Sequence, residues 1–506
     1  MSVARHRRRP AYVPRYAKQP PTRAGRRPAG TGRGPSLGRA SGVMALGTLA
    51  SRGTGFLRTV AVAAAIGTGA VGDAYNVANT TPNILYDLLL GGVLSSVVVP
   101  VLVRAAKEDD DGGEAFASSL LTLVVVGLGL AVVVALLAAP LIVRLYLAAG
   151  GAQRDLAVTF LRWFLPQVVF YGLGATIGAI LNVRQSFAAP MLTPVLNNLV
   201  VVATCVVFVF LPGPRPPTVG GISGTQTTVL ALGTTLGVVA MTLALLPSLR
   251  AVGFRYRVRL DLHHPGLRSA VRMAGWVLIY VVVSQLSLLV VVRLASGEIA
   301  YTTYTYAYQL FQLPHAIIAV SMITALLPRM SAHAADGRRD LVRDDLSTGT
   351  RLAAVVLVPA ALGLLVLARP IAVTVFDHGA VTYGGAVRIG DALAAFAVAI
   401  VPFSAFQLQI RAFYALQDSR TPALVQVAVS LVNILAAFVL AAVVPDGGRA
   451  VALALAFALA YAVGAAVSTQ LLRTRLAGVD GTRIARTGAK AAVAGGVAAL
   501  VALGVV

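Results

Sequence analysis

The chain has 506 residues, 57% of them hydrophobic and only 12% charged, with a formal net charge of +23. With a mean hydropathy of +0.81, this composition excludes a soluble globular domain and indicates an integral membrane protein. Apolar runs of helical length, rather than short alternating segments, also exclude a transmembrane barrel.

Residues 1–38 are rich in Arg, Pro and Gly and almost free of large aliphatics, so they cannot build a core. They are expected to form a disordered basic tail that holds the N-terminus in the cytoplasm against anionic lipid. A secretory signal fits poorly, because the next apolar run is too long for an h-region. Nucleic-acid binding is the weaker reading of such a tail on a membrane protein.

The first apolar run contains Ser51-Arg52-Gly53-Thr54-Gly55-Phe56-Leu57-Arg58, and after a polar break at Asp73 a second opens with Thr81-Pro82-Asn83. Arginines six residues apart on a helix lie about 120° apart and under two turns apart in height. A guanidinium in the hydrocarbon core costs about 2.5–3.5 kcal/mol on insertion scales, so it normally faces a protein interior or wet cavity. Arg52 and Arg58 therefore suggest a cationic lining suited to a bulky anionic ligand. Snorkelling to the interface is the alternative.

Apolar runs recur at 40–66, 75–104, 116–147, 156–184, 189–211, 226–249, 268–295, 300–328, 350–367, 384–411, 420–443, 449–472 and 485–506, predicting about thirteen transmembrane helices. Arg and Lys concentrate in alternate connections: Arg104 and Lys107, then 250–272, 329–343 and 473–490, while 212–225 and 444–448 are nearly free of them. By the positive-inside rule the N-terminus is cytoplasmic and the C-terminus external. Cys205, the sole cysteine, lies inside an apolar run, so no disulfide within the chain is possible.

The chain also resembles itself. Pro166 to Asn198 carries Leu181-Asn182-Val183-Arg184, Phe187 and Pro190, and Pro402 to Asn433 carries Tyr414-Ala415-Leu416-Gln417-Asp418-Ser419-Arg420 and Pro422; Pro100 and Pro328 close the second and eighth runs. Six spans separate each pair, which predicts parallel repeats about an axis along the membrane normal. The expected organisation is a tail (1–38), a six-helix lobe (39–249), a basic cytoplasmic linker (250–267), a second six-helix lobe (268–473), and a basic loop with an extra helix (474–506).

Several motifs are decoys. Gly67-Thr68-Gly69-Ala70-Val71-Gly72 matches a dinucleotide fingerprint, but no strand precedes it, and a flexible external turn is expected. His263 and His264 have no cysteine cluster or HExxH partner, so no metal site is expected. His315 beside Pro314 either lines a cavity or packs at a disturbed turn. Gly174 and Gly178 have helix-packing spacing. No nucleophile–base arrangement is evident, and none is needed to move a headgroup across a bilayer.

Ser51-Arg52, Gly55-Phe56, Arg58, Asp73 and Pro82-Asn83 resemble the opening of the MurJ/MviN lipid II flippases of the MOP exporter superfamily. The likeness continues through Leu181-Asn182, Ser284-Gln285-Leu286-Ser287-Leu288, Leu294-Ala295-Ser296-Gly297, Leu327-Pro328, Val375-Phe376, Phe413-Tyr414, Gln417-Asp418 and Thr421-Pro422. It implies an all-α, MATE-like polytopic protein with two six-helix lobes around a central cavity in a bacterial cytoplasmic membrane. It further implies a transporter, without cofactor, that carries undecaprenyl-pyrophosphate-linked peptidoglycan precursor to the outer leaflet, alongside cell-wall synthesis proteins. Arg52 and Arg58 would face the diphosphate, with Asp73, Asn83, Gln309 and Gln312 as further substrate-binding residues. Asp73, Asp87 and Asp418 are candidates for ion coupling, each with a solvated interfacial acid as its alternative.

The departures are specific. Tyr86, Asp87 and Gly91 stand where the family usually has paired arginines and a glutamate, and Gln309 and Gln312 precede Pro314 where it usually has an arginine and a glutamate. Family members commonly have fourteen spans, the last two grooved for the lipid tail, so an incomplete groove is expected here. Three readings follow: a lipid II flippase; a flippase for another polyprenyl-linked glycan or a MATE-like antiporter; and a non-transporting scaffold of wall synthesis.

Overall fold

The computed structural model describes residues 37–87, 102–103, 105–106, 111–148, 150–259, 265–296, 300–445 and 447–504. Residues 1–36 of the tail, Gly91, Pro100, Arg104, Lys107, His263 and His264 lie outside them. All regular structure among the described residues is helical: α1 (Leu37–Ile66), α2 (Ala70–Asp87), α3 (Glu114–Tyr146), α4 (Ala152–Phe164), α5 (Gln167–Val183), α6 (Ala188–Phe210), α7 (Gly224–Leu243), α8 (Leu246–Ala251), α9 (Pro265–Ala295), α10 (Tyr301–Ala335), α11 (Arg339–Phe376), α12 (Tyr383–Ala415), α13 (Arg420–Val443), α14 (Arg449–Arg475) and α15 (Gly481–Leu503). Among the described residues, each apolar run coincides with helix, the 156–184 and 226–249 runs with broken pairs. Pro166 separates α4 from α5 by withdrawing an N–H from the helical ladder.

Nine spans among the described residues are long and apolar enough to cross a membrane: α3, α4–α5, α6, α7–α8 and α11 to α15. Their outward faces are apolar. Leu130 is 66% and Leu137 81% exposed on α3, and Leu435 is 65% exposed on α13. In water such stripes would drive aggregation; in hydrocarbon they are the solvated face.

Helix packing repeats along the chain. In the first half α1 packs on α6, α2 on α4, α3 on α5 and α6 on α7; in the second α9 packs on α13, α10 on α12, α11 on α12 and α13 on α14. Between the halves, α2 meets α10, α3 meets α9, and α1 meets α11. The last two contacts exchange with each other under the same correspondence, as a two-fold relation between two lobes requires. Pro166 and Pro402 fall in corresponding elements, the α4–α5 pair and α12. Rings consolidate each half: Tyr75 meets Phe160 and Phe164 edge-on at 5.6 and 5.3 Å, while Phe311 stacks on Phe396 at 5.3 Å and Tyr461 meets Phe403 at 4.8 Å.

The lobes are sealed at the end opposite the basic loops. There Ala380 N donates to Ala64 O at 2.7 Å. Gly67 (φ +72°) and Gly379 (φ +66°) permit this approach, because a Cβ on Gly67 would sit 2.6 Å from Ala380 O. The expected flexible turn at 67–72 is therefore corrected: Gly67 and Gly72 are buried where backbones approach closely, and packing rather than mobility explains these two glycines. Gly174 and Gly178 serve packing, facing Thr242 of α7 and Pro190 of α6.

Candidate functional site

A cavity of about 770 Å³ lies between the lobes, walled by α1, α2, α6, α10, α12 and α14. Arg52 and Arg58 both line it, brought to one space from successive turns of α1. The α1 segment is held from α6, where Asn198 Nδ2 donates to Ser51 O at 3.3 Å and to Thr54 Oγ1 at 3.1 Å. Among the described residues, no carboxylate lies within ion-pair distance of either guanidinium, and none lines the cavity. Among the described residues, the site thus presents two cations without carboxylate counter-ions.

Asn83, Gln309 and Gln312 line the same space. Thr59 of α1 donates to Gln309 Oε1 across the lobe boundary. Gln312 Nε2 donates to Tyr308 Oη at 2.5 Å, and Tyr171 Oη donates to Asn83 Oδ1 at 3.5 Å. His315, which the sequence left undecided, borders the cavity: its Nδ1 is 2.8 Å from Ser404 Oγ, and its ring lies 4.6 Å from that of Phe403. Asn76, Asn79, Tyr306 and Gln407 complete the polar wall and were not singled out from the sequence. The available signal was the density of amides within nominally membrane-spanning runs.

Of the three candidate acids, two are placed away from the cavity. Asp73 does not reach the cavity. It is fully buried at the sealed end, where its Oδ1 accepts from Thr302 N at 2.8 Å. The first turn of α2 points it at the unpaired N–H groups opening α10, so it acts as a cap supplied across the lobe boundary. Asp418 is likewise remote, in the turn joining α12 to α13. Its Oδ1 accepts from Thr421 N at 2.9 Å and its Oδ2 from Thr421 Oγ1 at 2.6 Å, and Arg475 Nη1 lies 2.6 Å from Oδ2. Burial pushes the Asp418 carboxyl up, but the Thr421 bonds and the Arg475 charge outweigh it and hold the group below its usual range. Asp87 ends α2, and its side chain lies outside the described residues.

A two-lobed helical bundle, sealed at one end and enclosing a polar cationic cavity, defines a transporter of the alternating-access class. The family model described as "Lipid II flippase MurJ" matches residues 62–506, and the chain belongs to that family. It is 29% identical over 437 residues to the lipid II flippase MurJ of Burkholderia cenocepacia, covering 84% of this chain and 81% of the relative. With the probable lipid II flippase MurJ of Vibrio cholerae it shares 30% over 391 residues, covering 74% and 72%. Among solved structures, a MurJ in an inward closed conformation superposes with a TM-score of 0.75 at 21% identity, covering 90% of this chain and 92% of that one. An inward-facing MATE multidrug transporter of the MOP superfamily reaches 0.69 at 16% identity, covering 84% and 95%.

Proposed function

We propose that the chain flips lipid II, the undecaprenyl-pyrophosphate-linked peptidoglycan precursor, from the inner to the outer leaflet of the cytoplasmic membrane by alternating access. The observation that carries this reading is the pair Arg52 and Arg58, without carboxylate partners among the described residues, in a cavity whose other polar lining is mainly amides and hydroxyls. A diphosphate supplies the missing counter-charge, and charge-assisted contacts to it are the strong kind. Its tail stays in lipid through a gap between lobes, which we place at 39–249 and 268–473. Basic connections assign the unsealed end to the cytoplasm, with the N-terminus inside and the C-terminus outside. Net charge moved across the membrane couples to the potential at about 2.3 kcal/mol per charge per 100 mV.

A cation or drug antiporter would place a carboxylate in the cavity, and none lines it among the described residues. A scaffold acting through cell-wall synthesis proteins would tolerate loss of both arginines. Complementation separates these readings: the chain is expected to sustain growth and outer-leaflet lipid II when a cell's only lipid II flippase is depleted. Growth failure by protein that reaches the membrane would sink the flippase reading.

A further inference from the structure

A second space of about 370 Å³ opens off the arginine-lined cavity, bounded chiefly by α2, α9, α10, α13 and α14. Asn76, Asn79, Asn83, Tyr308, Gln309 and Tyr461 border both spaces, so the two are continuous. Among the described residues no charged side chain lines this compartment.

Its polar groups are left unbalanced in one direction. Asn79 Oδ1, Gln285 Oε1, Gln426 Oε1 and Asn433 Oδ1 are all buried without a hydrogen-bond partner in the protein. The nitrogens of two of these amides are engaged: Asn433 Nδ2 donates to Ser287 Oγ at 2.9 Å, and Gln426 Nε2 to Ser430 Oγ at 3.4 Å. Gln426 as a whole is only 3% exposed. Buried acceptors without donors are costly, and four of them around one space mark a place built to receive donors. Tyr301, Tyr304 and Phe457 add ring faces to the same walls.

We propose that this side compartment is a carbohydrate subsite, where Asn79, Gln285, Gln426 and Asn433 accept hydrogen bonds from the hydroxyl and N-acetyl N–H groups of the sugar bonded to the diphosphate. The proposal rests on the flippase reading and deepens it. A neutral sugar matches a neutral, acceptor-rich pocket with aromatic walls, and its attachment to the diphosphate matches the opening of the compartment onto the arginine cavity. A peptide stem bearing carboxylates would enter at a desolvation cost with no cation to meet it.

The test uses the full chain in lipid nanodiscs and two probes: undecaprenyl diphosphate, and undecaprenyl diphosphate bearing a single N-acetylhexosamine and no peptide. Gln285→Met and Asn433→Leu are expected to weaken binding of the sugar-bearing lipid roughly five- to tenfold, and to leave undecaprenyl diphosphate binding unchanged. Asn433→Leu also breaks the Ser287 bond, so Gln285→Met, with a melting temperature like that of the parent, is the deciding variant. Equal losses for both lipids, or no loss for the sugar-bearing one, would overturn the subsite. So would a variant effect that vanishes when sodium is replaced by choline, since the acceptors would then belong to a cation. Arg52→Ala/Arg58→Ala should weaken both lipids; if it weakens neither, the diphosphate reading fails, whatever the compartment binds.

Discussion

Asp73 Oδ1, at the start of α2, accepts a hydrogen bond of 2.8 Å from the backbone N–H of Thr302, at the start of α10 in the other lobe. A carboxylate against the N-terminal turn of a helix is favoured by the helix dipole, and here that interaction works only while the lobes are closed at this end. The bond therefore ties the two lobes together at this end.

Its removal should favour the open outer end. Asp73→Ala leaves Thr302 N–H unpaired in the closed state, at a cost of about 1–3 kcal/mol. Asp73→Asn keeps an oxygen acceptor and loses the charge–dipole part, about 0.3–2 kcal/mol. Spin labels at Gly69 and Tyr383, exposed positions of the two lobes, should report longer distances in the order wild type, Asn, Ala. Identical distance distributions in all three would refute this expectation.

The seam beside it depends on absent side chains. Gly379 has φ +66°, and a Cβ there would press on the backbone of Ala64. Gly379→Ala should insert and fold but close poorly. In a Cys205→Ala background, a cysteine at Thr305, below the seam, is expected to gain labelling by a membrane-impermeant thiol reagent added outside. Unchanged labelling would show that the seam accommodates the methyl group.

Arg52 and Arg58 carry the sharpest functional expectation. A charge-assisted contact contributes roughly 1.5–3 kcal/mol, so Arg52→Ala or Arg58→Ala should weaken headgroup binding about tenfold or more. Lysine keeps the charge but loses the fork, so Arg52→Lys should fall between Ala and wild type. The readout is lipid II exposed at the outer leaflet per folded protein in the membrane. Normal exposure in the double alanine variant would rule the diphosphate role out.

Asp418 predicts an acid limit to stability. Its folded-state carboxyl titrates below the ordinary value, so its contribution is complete above the unfolded pKa of about 3.9 and is lost as pH falls through the folded one. Asp418→Asn should melt lower than wild type at pH 7, and the gap should close in strong acid. A gap independent of pH would assign the effect to the turn geometry alone. Transport by Asp418→Asn, per folded protein, should stay near wild type, because the residue is remote from the cavity.

Much of the architecture was legible along the chain because the bilayer imposes a local rule. Any stretch that spans hydrocarbon must satisfy its backbone internally and present apolar side chains outward, so the runs around 116–147 or 420–443 announce α3 and α13 without long-range information. The same rule exposed Arg52 and Arg58, since charge inside an apolar run must find a cavity. It also flagged Asp73 and Asp418, but a carboxylate's role depends on which N–H groups and cations surround it. The N–H partner of Asp73 lies 229 residues away, and the cation beside Asp418 lies on α14.

By itself, the sequence determined a membrane-spanning helical protein with a repeated plan, a basic face and two arginines awaiting an anion. Hydropathy, charge and residue spacing are properties of short segments, and they survive being read one segment at a time. Only the tertiary structure decided that Asp73 bonds across the lobes, that Gly67 and Gly72 pack into a seam, and that amides from α2, α9 and α13 gather around one compartment with their oxygens unpaired. Each of these is a meeting of groups distant in sequence. A hydrogen bond depends on distances of a few tenths of an ångström, which packing sets and local pattern does not.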